Sequence, residues 1–303
     1  MKIVAKIKEE YLGLGKQYPI KILRKVTGFR SLKNDIYVSK ITGLVSVIFR
    51  RNSKEIAHSW NKKFQKGEKK KFNTKLYTAT VPFVKSRLMN VLYTANNYIN
   101  FKKKKIIDLG CGEGVLLIEA KKLNQAKKIF GVDPSYNNCQ ILKSKKISSF
   151  CGTAENFAKI KKYHNYFDIC FITWTLCNSS NCYDIIKTAN KILKKNGILI
   201  VAESSRILAP FKKSIYDYIT KRKKIDLHPF HFSKNTLRNL LIINKFKIMF
   251  TNEYINNNEI IIIGKKINKI EINKIKTDSY KVVIDFFNKW ILISKYYSKL
   301  KKI

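Results

Sequence analysis

The sequence predicts a doubly wound α/β sheet, and three observations carry that reading. Between about residue 76 and residue 266, segments with helical apolar spacing alternate with short strand-like runs, as helices layered on a sheet require. One run, Phe167 to Thr173, is almost continuously apolar, as expected of a strand covered on both faces. A glycine-rich turn, Gly110-Cys111-Gly112-Glu113-Gly114, joins an apolar strand to an apolar helix, where such folds usually hold a ligand.

The elements follow in order. Val81 to Asn100 carries Val84, Leu88, Val91, Leu92 and Ala95 at helical spacing. Lys105 to Leu109 reads as a strand, and about Gly114 to Leu123 as the helix after the glycine turn. Lys128 to Val132 and Ile147 to Cys151 are the next strands, followed by Phe167 to Thr173. Cys182 to Leu193 is helical, Asn196-Gly197 is the stop signal, and Ile198 to Ala202 is the fifth strand. Ser233 opens a helix through Leu241 as its N-cap. Phe246 to Tyr254 and Glu259 to Gly264 read as two closing strands joined by a polar Ile-Asn-Asn-Asn turn. Around this body, residues 1 to 75 form a basic, weakly patterned extension, and 267 to 303 a basic linker with a terminal helix, Tyr280 to Tyr297.

The 303 residues contain no run of about 18 apolar side chains, so a membrane span is not expected. The first residues alternate charge and apolar side chains and do not read as a secretory signal. Six cysteines show no C-x-x-C pair, which fits free thiols in a reducing cytoplasm. The net charge of +42 would ordinarily point to nucleic acid or an anionic surface. Only 8 of the 62 basic residues are arginine, the residue that forks onto phosphates and stacks on bases. The charge is therefore read first as compositional, next as attraction toward anionic substrates or membrane surfaces, with nucleic acid ranked last as a partner.

The glycine turn has the form G-x-G-x-G rather than the G-x-G-x-x-G of a dinucleotide site. Alternating glycines bring the backbone close to a ligand that has no phosphate to neutralise. Asp108 precedes the turn, and Asp133, 25 positions on, ends the second strand, where a carboxylate can accept both hydroxyls of a ribose.

"IIDLGCGEG", "FGVDPS", "CGTAENF", "FDICFITWTLCN" and "NGILIVAES", in that order over about 160 residues, resemble the successive motifs of class I S-adenosylmethionine-dependent methyltransferases. The resemblance implies a seven-stranded, mostly parallel Rossmann-like sheet with an antiparallel last strand. It implies S-adenosylmethionine as cofactor. Asp108 and the backbone of Gly110 and Gly112 would face its methionine moiety, Asp133 its ribose, Pro134 and Ser135 one side of the adenine, and Thr153 and Ala154 the other. Threonine stands where the family often has aspartate. Cys111 lies in the same cofactor shell and is read as packing at a tight turn rather than using its thiol.

The acceptor is approached by elimination and by a second resemblance. The turn after the fourth strand, "TWTLCNSSN", lacks the N/D-P-P-Y/F pattern of DNA amino-group methylation, and Cys177 lacks the setting of a cytosine nucleophile. "DLHPFHFSKNTLRNLLIINKFKI", Asp226 to Ile248, resembles the segment over the acceptor pocket of small-molecule methyltransferases, many acting on sugars of polysaccharides or lipid-linked intermediates. The implied partner is a small-molecule acceptor. An RNA methyltransferase and a non-catalytic S-adenosylmethionine-binding protein are the alternatives.

Three side chains are catalytic candidates: His231, His228 and Glu203. An unperturbed imidazole, with a pKa near 6.5, can accept a proton at neutral pH. His231 is the first choice as base or orienting group; hydrogen bonding of both histidines to backbone and a metal pair are the competing readings. Glu203, ending the fifth strand, would hold a substrate hydroxyl or bond to the loop of Ser204 and Ser205. Trp174 is an acceptor wall or core packing. No metal is expected. "DIYVSKITGLVSV", Asp35 to Val47, resembles a zinc-knuckle strand with Ser39 and Thr42 at the cysteine positions, neither a plausible zinc ligand in place of thiolate; an unrelated lid or cap is the competing reading of residues 1 to 75. The terminal helix gathers Val283, Phe286, Phe287, Trp290, Ile291 and Ile293 on one side, for packing on the body or for peripheral contact with an anionic membrane surface.

Overall fold

The structure, a computed structural model, describes residues 2–12, 17–19, 36–47, 52, 54–56, 58, 82–204, 228–252 and 259–300. Its centre is a seven-stranded sheet. In chain order the strands are β4 (Lys105–Leu109), β5 (Lys128–Asp133), β6 (Ser148–Cys151), β7 (Phe167–Thr173), β8 (Leu193–Ser204), β10 (Phe246–Thr251) and β11 (Glu259–Lys266). Their spatial order is β10-β11-β8-β7-β4-β5-β6. The five strands from β8 to β6 are parallel, and β11 runs antiparallel to both its neighbours. This is the Rossmann-like order expected, with its reversal between β4 and β7, and ligands of such sheets bind at the carboxyl ends beside that switch.

Alternate residues of each strand feed two cores. Ile107, Leu109, Phe130, Val132, Cys170, Ile172, Leu199 and Val201 face one way. They share a core with α1 (Lys2–Leu12), α5 (Ala154–Phe157), α6 (Cys182–Ile192) and α7 (Lys234–Ile243). Ile106, Ile129, Ile169, Phe171, Ile200 and Ala202 face the other. They pack with α2 (Pro82–Asn96), α3 (Val115–Asn124) and α4 (Tyr136–Ser144). A strand buried on both faces cannot alternate with polar residues, which is why β7 reads as an almost continuous apolar run.

Asn196-Gly197 does not stop the preceding helix as the sequence reading had it. Helix α6 ends at Ile192, and both residues lie within β8, where the pairing slips between Phe167↔Leu193 and Ile169↔Ile198. Asn196, at φ 62°, makes the bulge, and Lys194 reaches across to Asp168 at 2.7 Å. The Ile-Asn-Asn-Asn turn between the closing strands lies outside the described residues.

A second, four-stranded antiparallel sheet has the order β1 (Gln17–Pro19), β2 (Ile36–Ser39), β3 (Val45–Val47), β9 (Phe230–His231). It joins the N-terminal segment to the chain just before α7, through Val45↔His231 and Ser46↔Phe230. The hairpin turn is held by polar groups: Ser39 Oγ accepts from the N–H groups of Ile41 (3.1 Å) and Thr42 (3.0 Å), and Thr42 Oγ1 accepts from Leu44 N (3.2 Å). The serine and threonine at the positions of knuckle cysteines thus close the turn by hydrogen bonds. Asp278 ties this hairpin to α7: its N–H donates to Thr42 O (3.1 Å), and its carboxylate accepts from Ser233 Oγ and from Asn235 Nδ2. Ser233 is the N-cap expected of it, in a reciprocal capping box with Thr236.

The terminal helix α8 (Tyr280–Leu300) buries Val283 and Phe287 and contacts β2. Ile293 departs from the expected stripe and is exposed, as is Leu292; the side chains of Trp290 and Ile291 lie outside the described residues. No described helix is long and apolar enough to cross a membrane.

Candidate active site

The glycine turn leaves β4 at the switch point and is stitched to β5 by two N–H groups, Gly110 and Cys111, that share Val132 O at 2.7 and 3.1 Å. Gly110, Gly112 and Gly114 have φ of 82°, 54° and 76°, a region L side chains enter at a cost. Their surroundings differ. A Cβ on Gly110 would fall 2.2 Å from Thr175 Oγ1, and one on Gly114 2.5 Å from Leu142 Cδ2, whereas a Cβ on Gly112 would meet nothing within 4 Å. Gly110 is therefore glycine for close packing, and Gly112 borders open space. Cys111 packs on Gly131, whose added Cβ would lie 2.7 Å from its Sγ. Burial pushes the Cys111 thiol well up, with Asp133 and Asp108 adding to the rise, so it is a packing group.

Two carboxyls, Asp108 on β4 and Asp133 at the end of β5, lie beside the turn in the chain or by hydrogen bond. Asp108 is 1% exposed, and its Oδ1 has no hydrogen-bond partner among the described residues. Burial, with the charge of Asp133 adding, pushes its carboxyl up to about 8. At neutral pH it is mostly a neutral acid. A buried carboxyl held this way would ionise on meeting a cation that desolvates with it. Asp133 is raised too, by burial, against hydrogen bonds from Ser135, Asn138 and Gly112. Its Oδ1 accepts from Ser135 N (2.9 Å) and Asn138 Nδ2 (3.0 Å), and its Oδ2 from Gly112 N (2.9 Å). Three of its four lone-pair directions are used, so it can accept one ribose hydroxyl as it stands. Accepting both, as the sequence reading had it, requires the Gly112 N–H to let go.

The remaining cofactor candidates line the ends of the neighbouring strands. Pro134 follows Asp133 and is half-buried, and Ser135 caps α4. Thr153 caps α5 through Asn156 N at 3.3 Å, and Ala154 is buried. Gly152 N donates to Asp133 O at 3.0 Å, which brings the Thr153 turn beside β5.

On the other side of the switch, β7 ends in a turn at Leu176–Asn178. Glu203, on β8, is fully buried and accepts from Leu176 N at 2.6 Å. It anchors this turn, a role different from a bond to the loop of Ser204 and Ser205; Ser205 lies outside the described residues. Burial pushes the Glu203 carboxyl up to about 7, against the pull of Cys177 and the neighbouring N–H groups. A folded-state pKa above the unfolded value means that stability is fully present below about pH 4.5 and falls as pH rises through 7. Glu203→Gln is expected to remove that component. Chemical denaturation from pH 4.5 to 8 should show the variant losing less stability than wild type, by about 2–3 kcal/mol at most. Equal slopes would contradict it.

Trp174, at φ 50°, donates its backbone N–H to Ala202 O (2.8 Å), and its ring centroid lies 4.0 Å from the guanidinium carbon of Arg87. Arg87, from α2, pairs with Glu259 and donates to Ser204 Oγ at 3.1 Å. This clamp ties α2 to the carboxyl end of β8, with the half-buried Trp174 ring packed on Arg87. His231 is 8% exposed within β9, and His228 is half-buried just before it, the two rings 6.2 Å apart. His228 Nδ1 lies 2.8 Å from Asn178 Oδ1. The structure therefore brings His228 to Asn178 in the turn after β7, the turn that Glu203 anchors through Leu176, and places His231 in the strand paired to the N-terminal hairpin. Sequence reasoning gave no separate role to Thr175, within the stretch Cys170 to Leu176 expected beside the transferred methyl, and missed Asn178 and Arg87. Thr175 and Asn178 lay in a quoted motif, but their partners are 65 and 50 residues away in the chain.

The family model described as a methyltransferase domain matches residues 100–278, more than half of the chain. Among solved structures, the chain is similar to a Haemonchus contortus phosphoethanolamine N-methyltransferase in complex with phosphoethanolamine and S-adenosylhomocysteine. That likeness has 15% identity and a TM-score of 0.53 over 82% of this chain and 56% of that one. It is similar also to a Thermotoga maritima S-adenosylmethionine-dependent methyltransferase, with 23% identity and a TM-score of 0.48 over 61% and 93% of the two chains. A third is an Aquifex aeolicus S-adenosylmethionine-dependent methyltransferase, with 14% identity and a TM-score of 0.47 over 64% and 100%. No curated protein matches the chain.

Proposed function

Since the chain belongs to the methyltransferase-domain family, we propose that it moves a methyl group from S-adenosylmethionine to a small-molecule acceptor, a sugar or a polysaccharide- or lipid-linked intermediate. The observation that carries the cofactor is the pairing of open space at Gly112 with the unpartnered buried oxygen of Asp108. A ligand that presents a cation beside a close-fitting backbone satisfies both. Asp108 would take the ammonium of the methionine moiety, the Gly110 and Gly112 backbone would line its path, and Asp133 would accept a ribose hydroxyl. Pro134, Thr153 and Ala154 would border the adenine. The cofactor supplies a methyl group on a sulfonium, already activated for displacement. The protein's task is alignment and the exclusion of water, together worth roughly 7–11 kcal/mol at best.

A small acceptor is supported by the segment from His228 to Ser233, which packs on the turn after β7 as well as on β3. It would form one wall of the acceptor space, with Trp174 as another. Incubating the chain with methyl-labelled S-adenosylmethionine and a fractionated cell extract tests this. Label in a sugar or lipid-linked fraction is the expected result. Label confined to RNA would contradict the acceptor class while leaving methyl transfer in place.

A further inference from the structure

We propose that Cys139 and Cys151 are an oxidisable thiol pair: a hydroperoxide converts them to a reversible disulfide, and the disulfide loosens the Asp133 end of the cofactor site. The cross-link stands on the fold alone, and its effect on binding rests on the cofactor reading above.

The two residues are 12 positions apart in the chain, and the fold brings them together. Cys151 ends β6, where it pairs with Asp133 at the end of β5. Successive side chains of a strand point to opposite faces. Phe150 packs into the core beneath α5, its ring centroid 5.5 Å from that of Phe157. Cys151 therefore points to the other face, the one that α4 covers. Cys139 lies in the first turn of α4, its Sγ 3.4 Å from Asp133 O. The same carbonyl accepts from the N–H of Gly152, the residue after Cys151, at 3.0 Å. Both thiols thus border one peptide group, and they hydrogen-bond to each other.

The pair is unequal. Cys151 is the exposed cysteine of the six, and the other five are buried. Burial first, and then the hydrogen bond with Cys151, push the Cys139 thiol up. Cys139 is a shielded, protonated thiol, and Cys151 is the one that an oxidant in solution meets. In the first step the Cys151 sulfur attacks the hydroperoxide. A sulfur–oxygen bond forms, the oxygen–oxygen bond breaks, and an alcohol (water, from hydrogen peroxide) leaves with the thiol proton. The Cys139 sulfur then attacks the sulfenic acid. A sulfur–sulfur bond forms, the sulfur–oxygen bond breaks, and hydroxide leaves with the Cys139 proton as water. The two sulfurs give up two electrons, and the hydroperoxide takes them. Exchange with a low-molecular-weight thiol reverses the bond, so it is transient wherever thiols are kept reduced.

The disulfide removes the Cys139 S–H that donates to Asp133 O, and it ties the first turn of α4 to the sheet edge. That turn also carries Asn138, whose Nδ2 donates to Asp133 Oδ1 at 3.0 Å. Moving it unsettles the carboxyl proposed to hold the ribose.

The full chain is treated with hydrogen peroxide, digested without reduction and mapped by mass spectrometry. A Cys139–Cys151 cross-link is the expected product. Calorimetry on the same sample should show affinity for S-adenosylhomocysteine lowered by about tenfold, the scale of a lost hydrogen bond to a charged group, and restored by dithiothreitol. Cys151→Ser should bind like reduced wild type and keep its affinity in peroxide. Cys139→Ser should stop at a Cys151 sulfenic acid that dimedone traps. Peroxide that leaves the two thiols unlinked, or links Cys139 to Cys111, would overturn the proposal. So would a cross-linked protein of unchanged affinity, or a Cys151→Ser variant as sensitive as wild type. A reduced wild type that goes on to form the cross-link yet binds no S-adenosylhomocysteine would overturn the cofactor reading instead.

Discussion

Gly110→Ala should leave a protein that unfolds at much lower denaturant concentration than wild type and binds no S-adenosylhomocysteine. Two costs add. A side chain at φ 82° costs about 1–2 kcal/mol. The new methyl would lie 2.2 Å from Thr175 Oγ1, 2.7 Å from its Cγ2 and 3.0 Å from its Cβ, so rotating the side chain cannot clear it. Thr175 is also held by its Oγ1, which donates to Thr173 O at 3.1 Å. Overpacking of this kind adds about 1–3 kcal/mol. Gly112→Ala separates packing from binding. Its φ of 54° carries the first cost, but its Cβ enters open space, so it should fold with a loss of about 1–2 kcal/mol and still fail to bind. Urea unfolding with and without S-adenosylhomocysteine distinguishes the two. A Gly110→Ala variant as stable as wild type would contradict the packing, and a Gly112→Ala variant with full affinity would contradict the location of the ligand.

Binding of S-adenosylhomocysteine should release a proton and tighten as pH rises toward 8. With its carboxyl at about 8, Asp108 is mostly protonated at pH 6 and must ionise to pair with an ammonium. Each pH unit below that value should weaken binding by up to about tenfold, and the dependence should flatten above it. Asp108→Asn should remove the proton release and weaken binding at pH 8 by roughly tenfold to a hundredfold, the range of a lost charge-assisted hydrogen bond of about 1.5–3 kcal/mol. Titrations in buffers of different ionisation enthalpy count the proton. Proton-neutral binding with pH-independent affinity would remove Asp108 from the ammonium.

What was legible in the sequence is what short-range pattern determines. The bounds of β4 and β7 coincide with the apolar runs that announced them, because both strands are covered on both faces and end abruptly in polar or glycine residues. The glycine turn and Asp133 were legible because they are contiguous with those strands. The Asn196-Gly197 bulge was misread because the same dipeptide that ends a helix also permits a positive φ inside a strand. The pairing of β3 with β9 joins residues nearly two hundred positions apart through a two-residue strand, too short for any periodicity. For the same reason nothing in the chain around His228 announces Asn178. The self-bonding of Asp133 is a matter of geometry rather than pattern: the Gly112 N–H that leans on it belongs to the turn it serves.

Calorimetric titration of the wild-type chain with S-adenosylhomocysteine tests the central claim most directly. Micromolar one-site binding is the predicted result, accompanied at about 100 times the dissociation constant by about 2.7 kcal/mol of added stability. Absence of both heat and stabilisation, or binding of NAD in its place, would contradict it.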